Sequence, residues 1–145
     1  MIFHQAYFGG TSTWRNSTVR TWLNSTFYPG FSSDFKSRML QIKYNSQKEW
    51  YNDDYIILLS FNEVNNGGTA SAYSDNEGLP YPIFTNDTSR KKYAFGGDGS
   101  YNRWWTRSRT NSGKYNAYYV SNSGSLSYGD AASLQNYLAP LIRVQ

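Results

Sequence analysis

The spacing of the apolar residues changes along the chain, and this change constrains the fold more than any other feature. Up to Ile42, apolar side chains recur at the intervals of a helix face. From Asp54 to Ser60 the sequence is instead a short, almost wholly apolar run rich in strand-forming residues, which predicts a central, buried strand. Two early helices followed by short strands and long loops indicate an α+β fold rather than an alternating parallel one.

The two early helices have recognisable ends. Ser17 is a suitable N-cap for the first, which is predicted to end at Pro29–Gly30. Ser32 or Ser33 caps the second, and the acidic Asp34 lies favourably in its first turn. The apolar stripes of the two helices are Val19, Trp22, Leu23 and Phe27, and then Phe35, Met39 and Leu40.

The remainder of the chain is predicted to alternate short strands with long loops. Residues 69–99 are rich in Gly, Ser, Asn and Asp, which indicates a long excursion of loops. Strand-like runs cover residues 102–107 and 117–120, and Ser121–Gly124 predicts a hairpin turn after the second run. Residues 137–144 are predicted to be the last strand, with Pro140 near an edge or a bulge.

Residue types that carry common catalytic chemistry are scarce in this chain, which we interpret as one domain over residues 1–145. The sequence contains no cysteine, and His4 is its only histidine, so thiolate chemistry, histidine triads and multi-histidine metal sites are excluded or nearly so. Gly96–Gly99 lacks the lysine of a phosphate-binding loop, and Asp75–Gly78 lacks the spacing of a calcium loop. We therefore expect a non-catalytic domain without a metal or a cofactor.

A carbohydrate-binding or carbohydrate-active protein that uses loop carboxylates is the alternative. A glycosidase needs two carboxyl groups about 5–10 Å apart in a cleft. Loop carboxylates more often serve turns, so the pattern alone does not indicate catalysis. The candidates are Asp53, Asp54, Glu63, Asp75, Glu77, Asp87 and Asp98.

Charge and hydropathy argue against two classes of partner. The net charge is +4, but the basic residues are scattered, and Arg90–Lys92, their one tight cluster, is typical of a solvated loop. We therefore expect no nucleic-acid partner. No stretch approaches the roughly 20 apolar residues that cross a bilayer, so we expect no membrane span, and Met1–Gln5 shows no signal peptide.

The aromatic content instead favours a recognition surface. Aromatic residues make up 19% of the chain, with 14 tyrosines, whereas charged residues make up 17%. Tyrosine combined with Ser, Gly and Asn is the mixture that antibody binding loops use. A β-rich domain with tyrosine on half-exposed strands would give a similar composition.

We place this recognition surface between Ser100 and Asp130, where most residues are small and polar or tyrosine. A spaced apolar framework that includes Ala117, Val120 and Leu126 anchors the segment, so it is neither a linker nor mainly core. The candidate ligand-binding residues are Tyr101, Asn102, Arg109, Asn111, Lys114, Tyr115, Asn116, Tyr118, Ser127, Tyr128 and Asp130.

Trp104, Trp105 and Arg107 are predicted to be the structural framework of this segment, with a ligand platform as the alternative interpretation. Adjacent residues of a strand face opposite sides, so one indole should enter the core and the other should lie closer to the surface. Arg107 shares the face of Trp105, where its guanidinium group can stack on a ring or bind backbone carbonyls.

Two of these motifs resemble those of a bacterial and phage domain of unknown function with a C-type-lectin-like fold. The most specific are the pattern S-x-x-R-x-W-L-N at Ser17–Asn24 and the pattern W-W-x-R-S at Trp104–Ser108. The resemblance runs through most of the chain and implies two early helices packed on short, mostly antiparallel strands with long loops. Its other elements are Trp14, Phe27, Phe31, Ser32, Ile57–Ser60, Glu63 and Pro140.

The resemblance implies a display function. Similar domains occur on phage tail proteins and bacterial surface proteins, which implies a virion tail or a bacterial cell surface as the location, with the cytoplasm left open. The implied partner is a protein or glycan on a cell surface, and the domain would form a homo-oligomer or a part of a larger display protein. Some related domains are variable proteins of diversity-generating retroelements, which mutate adenines and so produce the Asn, Ser, Tyr, Asp and Gly that crowd this segment.

The chain departs from that family pattern at two places. Ala139 stands before Pro140, where the family usually has an arginine. The family also commonly has strands before the first helix, whereas only Met1–Thr13 precede it here, so we expect N-terminal strands to be lacking or built differently.

Overall fold

The computed structural model describes residues 14–46, 49–66, 77–93, 99–110, 116–130, 134 and 136–145. Within these residues the chain forms four short helices and ten short strands. The strands pair antiparallel in four small sheets, and a single parallel bridge joins Trp104 to Tyr137. The α+β class expected from the sequence is therefore confirmed.

The first helix is capped by Ser17 and the helical segment ends at Gly30, both as predicted, but a 3-10 turn precedes the cap. The side chain of Ser17 accepts a hydrogen bond from the backbone N–H of Arg20, which satisfies one of the unpaired donors of the first turn. Val19 and Leu23 are buried on the inner face of the segment. It comprises a 3-10 turn at Trp14–Asn16, helix α1 at Thr18–Trp22, a π-helical turn at Leu23–Phe27 and a 3-10 turn at Tyr28–Gly30.

The second helix, α2 at Ser33–Arg38, is shorter than predicted. Ser32 caps it by accepting a hydrogen bond from the N–H of Phe35. The prediction that Met39 and Leu40 continue the helix is wrong, because they form strand β1, paired with the C-terminal end of the chain. The extended conformation buries Met39 in the core and gives the backbone partners on a neighbouring strand.

A hairpin that the sequence did not indicate follows. Strand β2 is Ile42–Ser46 and strand β3 is Glu49–Asp54, and the two pair antiparallel. Ile42 and Tyr44 are buried whereas Lys43 is exposed, so the alternation of a half-buried strand is present, but over too few residues to be distinctive.

The predicted apolar strand is real but shorter than its apolar run. Strand β4 is Ile56–Leu58, and its residues are buried. It is not central: in the sheet β1-β10-β4 the middle strand is β10, Pro140–Val144. The strand ends before the apolar run does, because Ser60 caps helix α3, Phe61–Val64, in a reciprocal capping box with Glu63.

The predicted hairpin turn is confirmed in a three-stranded sheet. Strand β7 is Trp104–Arg109, strand β8 is Asn116–Val120 and strand β9 is Leu126–Asp130, in the order β7-β8-β9. The N–H of Ser121 donates to the carbonyl of Ser125 over 2.8 Å and closes the turn between β8 and β9.

Gly124 in this turn is required for two reasons. Its φ of +91° lies in the left-handed region, and a Cβ atom there would collide with the carbonyl oxygen of Asp87. The turn is thereby held against helix α4, Asp87–Arg90.

The segment predicted as a loop excursion contains regular structure in its described part. Besides α4 it includes strand β5, Lys92–Tyr93, which pairs with β6, Tyr101–Asn102. Residues 69–76 and 94–98 of that prediction lie outside the described residues.

Two apolar clusters form the core, one on each face of β7. Trp105 lies in the larger cluster and Trp104 in the smaller one. The two indoles do face opposite sides, but the expectation that one lies closer to the surface is wrong, because Trp104 is 1% and Trp105 0% exposed. The larger cluster further includes Trp14, Leu23, Ile56, Leu58 and Ala117, and the smaller one Leu59, Val64, Phe84 and Val120.

Pro140 begins β10 opposite Leu58. It lies at the first residue of a middle strand rather than on an edge strand, a position where its missing N–H removes little from the ladder.

Candidate functional site

Arg107 is the centre of a buried polar network between the two core clusters. Its Nη1 donates to Glu63 Oε2 over 2.7 Å and its Nη2 to Glu63 Oε1 over 2.9 Å, a two-point ion pair. The same nitrogens donate over 2.7 Å to the backbone carbonyls of Leu58 and Glu77. The guanidinium group lies 5.4 Å from the ring of Tyr44 rather than on Trp105. Arg107 thus connects β7 with the end of β4, with α3 and with the segment around Glu77.

Ser108 extends this network. Its hydroxyl oxygen accepts a hydrogen bond from the N–H of Phe61 over 2.7 Å, and the hydroxyl donates to the carboxylate of Glu77. Glu77 is completely buried. The last two residues of the W-W-x-R-S pattern therefore fix the loop before β5 to the centre of the fold.

A second network joins the first helical segment to β2 and β3. Arg20 Nη2 lies 2.8 Å from Asp54 Oδ1, and the Tyr44 hydroxyl donates to Asp54 Oδ2 over 2.5 Å. Burial and the hydrogen bond to Asp54 raise the pKa of Tyr44 above its ordinary value. Trp14 Nε1 in turn donates to the Tyr44 oxygen over 3.1 Å.

Asn24 completes the attachment of the first segment. Its Oδ1 accepts hydrogen bonds from the N–H groups of Tyr55 and Ile56, both over 3.1 Å, and its Nδ2 donates to the Ile56 carbonyl over 2.8 Å. The S-x-x-R-x-W-L-N and W-W-x-R-S patterns therefore both describe how the frame of the fold is held together.

The candidate ligand-binding residues lie elsewhere, and most of those described belong to the β8–β9 hairpin. Tyr118 pairs directly with Tyr128, and Asn116 with Asp130. Because side chains alternate along strands, these four residues share one face of the hairpin, which we call the hairpin face. The opposite face carries Ala117 and packs on the larger core cluster.

An aromatic ladder crosses the hairpin face. The ring of Phe61, which is buried, lies 4.2 Å from that of Tyr118, and Tyr118 meets Tyr128 edge-on at 6.1 Å. Tyr128 is 49% exposed and forms the outer end of the ladder. The hairpin face thus presents a tyrosine that is oriented by packing from beneath and flanked by Asn116 and Asp130.

The structure does not gather all the predicted site residues. Ser127 pairs with Tyr119, whose ring packs edge-on against Trp105, so Ser127 belongs to the opposite face. Arg109 pairs with Ala117 and therefore shares that face, near the open end of the hairpin. Predicted residues Asn111, Lys114 and Tyr115 lie outside the described residues.

Tyr101 and Asn102 lie beyond the other end of β7. A six-residue strand is about 17 Å long, so these two residues are far from Asn116 and Asp130. The rings of Tyr101 and Tyr93 stack at 4.3 Å, and a hydrogen bond between their hydroxyls raises the pKa of Tyr93.

Asn102 borders a cleft that sequence reasoning missed, whereas Tyr101 does not line it. The cleft has a volume of about 350 Å³ and lies between β5, β6 and the segment that leads into β10. Lys92 and Asn102 contribute its polar atoms together with Tyr93 and Tyr137. The apolar residues that line it are Leu59, Trp104, Leu138, Ala139, Pro140 and Leu141.

The interpretation of Arg90–Lys92 as a solvated loop is wrong, because Arg90 is buried, Lys91 and Lys92 are only partly exposed, and Lys92 lies in strand β5. Arg90 is 8% exposed and donates to the carbonyl of Gly124 over 2.8 Å, besides pairing with Asp87. Lys92 is half-buried at the cleft. The triplet carried no signal of this, because a basic triplet on its own is typical of solvent-exposed loops.

The candidate catalytic carboxylates that the structure describes are held by basic or hydroxyl groups. Asp53 accepts from Arg20, as Asp54 does, and Asp87 pairs with Arg90. Asp75 and Asp98 lie outside the described residues. The described residues bring together no group of three or more potential metal ligands, and none of their helices is long and apolar enough to cross a membrane.

Comparison with known proteins identifies a family but no activity. No curated protein and no solved structure matches the chain significantly. A family described as a domain of unknown function (DUF6273) matches residues 3–144, which is nearly the whole sequence. The chain therefore belongs to the DUF6273 family.

Proposed function

We propose that this chain is a non-catalytic recognition domain with a C-type-lectin-like fold, and that it binds a protein or glycan on a cell surface through the hairpin face. The observation that carries the proposal is the half-exposed ring of Tyr128 at the end of the ladder from Phe61 and Tyr118. An aromatic ring that is already held in place loses little conformational freedom when a ligand covers it.

The chemistry around Tyr128 suits a polar macromolecular surface. Asn116 offers both a donor and an acceptor, and the exposed Asp130 offers an acidic acceptor directly opposite it. Tyrosine rings flanked by small polar groups are the combination that antibody binding loops use for proteins and glycans alike. The face is supported from below by the larger core cluster, so it can act as a rigid platform.

The separate positions of the family-like patterns and the hairpin face suit a display role, and the resemblance implies a virion tail or a bacterial cell surface as its location. Both family-like patterns hold the fold together, through Arg20 and Arg107, whereas Tyr128 on the hairpin face is half-exposed. Residues on such a face can vary without loss of the fold, which is what diversification by a retroelement requires. A reverse-transcriptase gene and a near-copy of the C-terminal coding stretch beside this gene would establish that diversification, and their absence would contradict it.

The paired-carboxylate alternative has less support. Glu63 is bound at two points by Arg107, and Glu77 is completely buried with its carboxylate on Ser108. A general acid or base must reach its substrate, whereas these groups are committed to contacts that hold the fold.

The proposal is tested by screening the protein against arrays of glycans and of cell-surface proteins, and then comparing variants on the ligand found. We expect Tyr128→Ala and Asp130→Ala each to weaken binding at least tenfold, because each removes a contact at the centre of the face. Tyr81→Ala is the matched control, since Tyr81 is also exposed, at 40%, but lies outside the hairpin. Unchanged affinity in Tyr128→Ala, or equal loss in Tyr81→Ala, would contradict the proposal.

A further inference from the structure

The cleft beside β5 and β6 has the composition of a small-molecule site. Its volume of about 350 Å³ falls within the range of ligand pockets, at the lower end. Leu59, Pro140 and Leu141 supply apolar walls, while Asn102 and the tyrosines supply groups that donate and accept hydrogen bonds. It lies at the opposite end of β7 from Asn116 and Asp130 and shares no residue with the hairpin face.

Lys92 gives the cleft its charge. Its ammonium nitrogen lies 5.4 Å from the ring of Trp104 and 5.8 Å from that of Phe84, both of which are buried. Among the described residues no carboxylate forms an ion pair with Lys92, and none lines the cleft. Burial accordingly lowers the pKa of Lys92 below its ordinary value.

A half-buried cation without a counter-ion favours an anionic ligand. Each of the arginines in the buried networks, Arg20, Arg90 and Arg107, has an acidic partner within the described residues, whereas Lys92 faces two aromatic rings. A carboxylate in the cleft would supply the missing charge partner in surroundings where water screens the interaction less than at an open surface. Ring contacts alone stabilise a desolvated ammonium group less than an ion pair with hydrogen bonds does.

The rest of the lining favours a ring that carries hydroxyl groups. Asn102 Nδ2 already donates to the carbonyl of Ser100 over 2.8 Å, which orients the amide. Oriented amide and phenol groups beside Leu59 and Pro140 match a ligand with one apolar face and a rim of hydroxyls, as a pyranose has.

We propose that this cleft binds the carboxylate-bearing ring of a sugar acid, with Lys92 as the anchor of the carboxylate and Asn102 as a hydrogen-bonding partner of the ring. This second site goes beyond the recognition proposed for the hairpin face and does not depend on it. The apolar walls contact the apolar face of the ring.

The test compares three probes by ligand-observed NMR or calorimetry: glucuronate, glucose and acetate. A free monosaccharide of this size is expected to bind with a Kd of about 1 mM. Glucuronate should bind at least tenfold more tightly than glucose, which lacks the carboxylate, and than acetate, which lacks the ring.

Two substitutions at Lys92 locate the site. Lys92→Met keeps the apolar stem but removes the charge, and it should weaken glucuronate binding at least tenfold, whereas Lys92→Arg should retain it within about threefold. Lys91→Met is the matched control, because the ammonium group of Lys91 lies over Tyr101 at 5.1 Å and does not line the cleft. Thermal melting establishes that each variant is folded, and Lys92→Gln replaces Lys92→Met should the latter fail to fold.

The proposal is overturned by any of four results. They are the absence of glucuronate binding, equal binding of glucose, equal binding of acetate, and unchanged glucuronate affinity in the folded variant that lacks the charge at position 92.

Discussion

Strand β7 and the β8–β9 hairpin belong to the same sheet but have opposite roles. Both faces of β7 are covered, Trp105 by one core cluster and Trp104 by the other. The Ala117 face of the hairpin packs on the larger cluster, whereas its other face is covered near Val120 by the smaller cluster and leaves Tyr128 half-exposed. The difference teaches that the extent to which the two clusters cover a strand separates the structural core from the candidate binding face.

The largest losses in the free energy of unfolding should come from replacing Trp104 and Trp105. Trp104→Ala and Trp105→Ala should each lower the free energy of unfolding by about 3 to 5 kcal/mol, because both side chains are buried and each leaves a large cavity. Chemical denaturation measures this. If one substitution had a small effect, β7 would separate a core from a surface, and the comparison with the hairpin would fail.

Replacing Arg107 should cause the second-largest loss in the free energy of unfolding. Arg107→Leu leaves Glu63 without its two-point ion pair and two backbone carbonyls without donors, so we expect a loss of roughly 3 kcal/mol in the free energy of unfolding. Arg103→Leu is the matched control, because the exposed side chain of Arg103 lies over the ring of Tyr119 at 5.8 Å and its backbone hydrogen bond to Tyr137 survives the substitution. This variant should cost less than about 1 kcal/mol. Equal losses in the two variants would show that the buried hydrogen bonds and ion pair of Arg107 add nothing to the stability of the fold.

The smallest losses in the free energy of unfolding should come from the hairpin face. They should increase along the aromatic ladder from the outer Tyr128 to the inner Tyr118. Tyr128→Ala should cost less than about 1 kcal/mol, since it removes one cross-strand pair, whereas Tyr118→Ala should cost roughly 1 to 2 kcal/mol because Tyr118 also packs on Phe61. Thermal and chemical denaturation of the two variants measure the difference. A greater loss of stability in Tyr128→Ala than in Tyr118→Ala would mean that the Tyr128 ring holds the fold together and is not part of a free binding surface.

Features that depend on neighbouring residues in sequence were the predictable ones. Ser17 and Ser32 cap their helices because a hydroxyl group reaches a backbone N–H within the same turn. The turn at Ser121–Gly124 forms because Gly124 accepts a positive φ. The S-x-x-E pattern at Ser60–Glu63 was equally readable and would have shortened the predicted strand.

Features that depend on remote partners could not be read in this way. Met39 and Leu40 fit a helical stripe as well as a strand, and only pairing with Arg143 and Val144 decides for the strand. The same holds for Lys92, whose place at the cleft depends on Trp104 and on the segment before β10.

The sequence by itself determined the α+β class, the first helical segment, the hairpin turn and the aromatic, weakly charged character of the segment from Ser100 to Asp130. These follow from local capping, turn geometry and periodicity. Only the tertiary structure decided that both indoles are buried and that Arg107 binds Glu63. It also placed four of the predicted site residues on the hairpin face and Asn102 at a cleft near the other end of β7. The physical reason is that burial and ion pairing depend on which segments meet in space, and the two apolar clusters on either face of β7 bring together residues that are tens of positions apart.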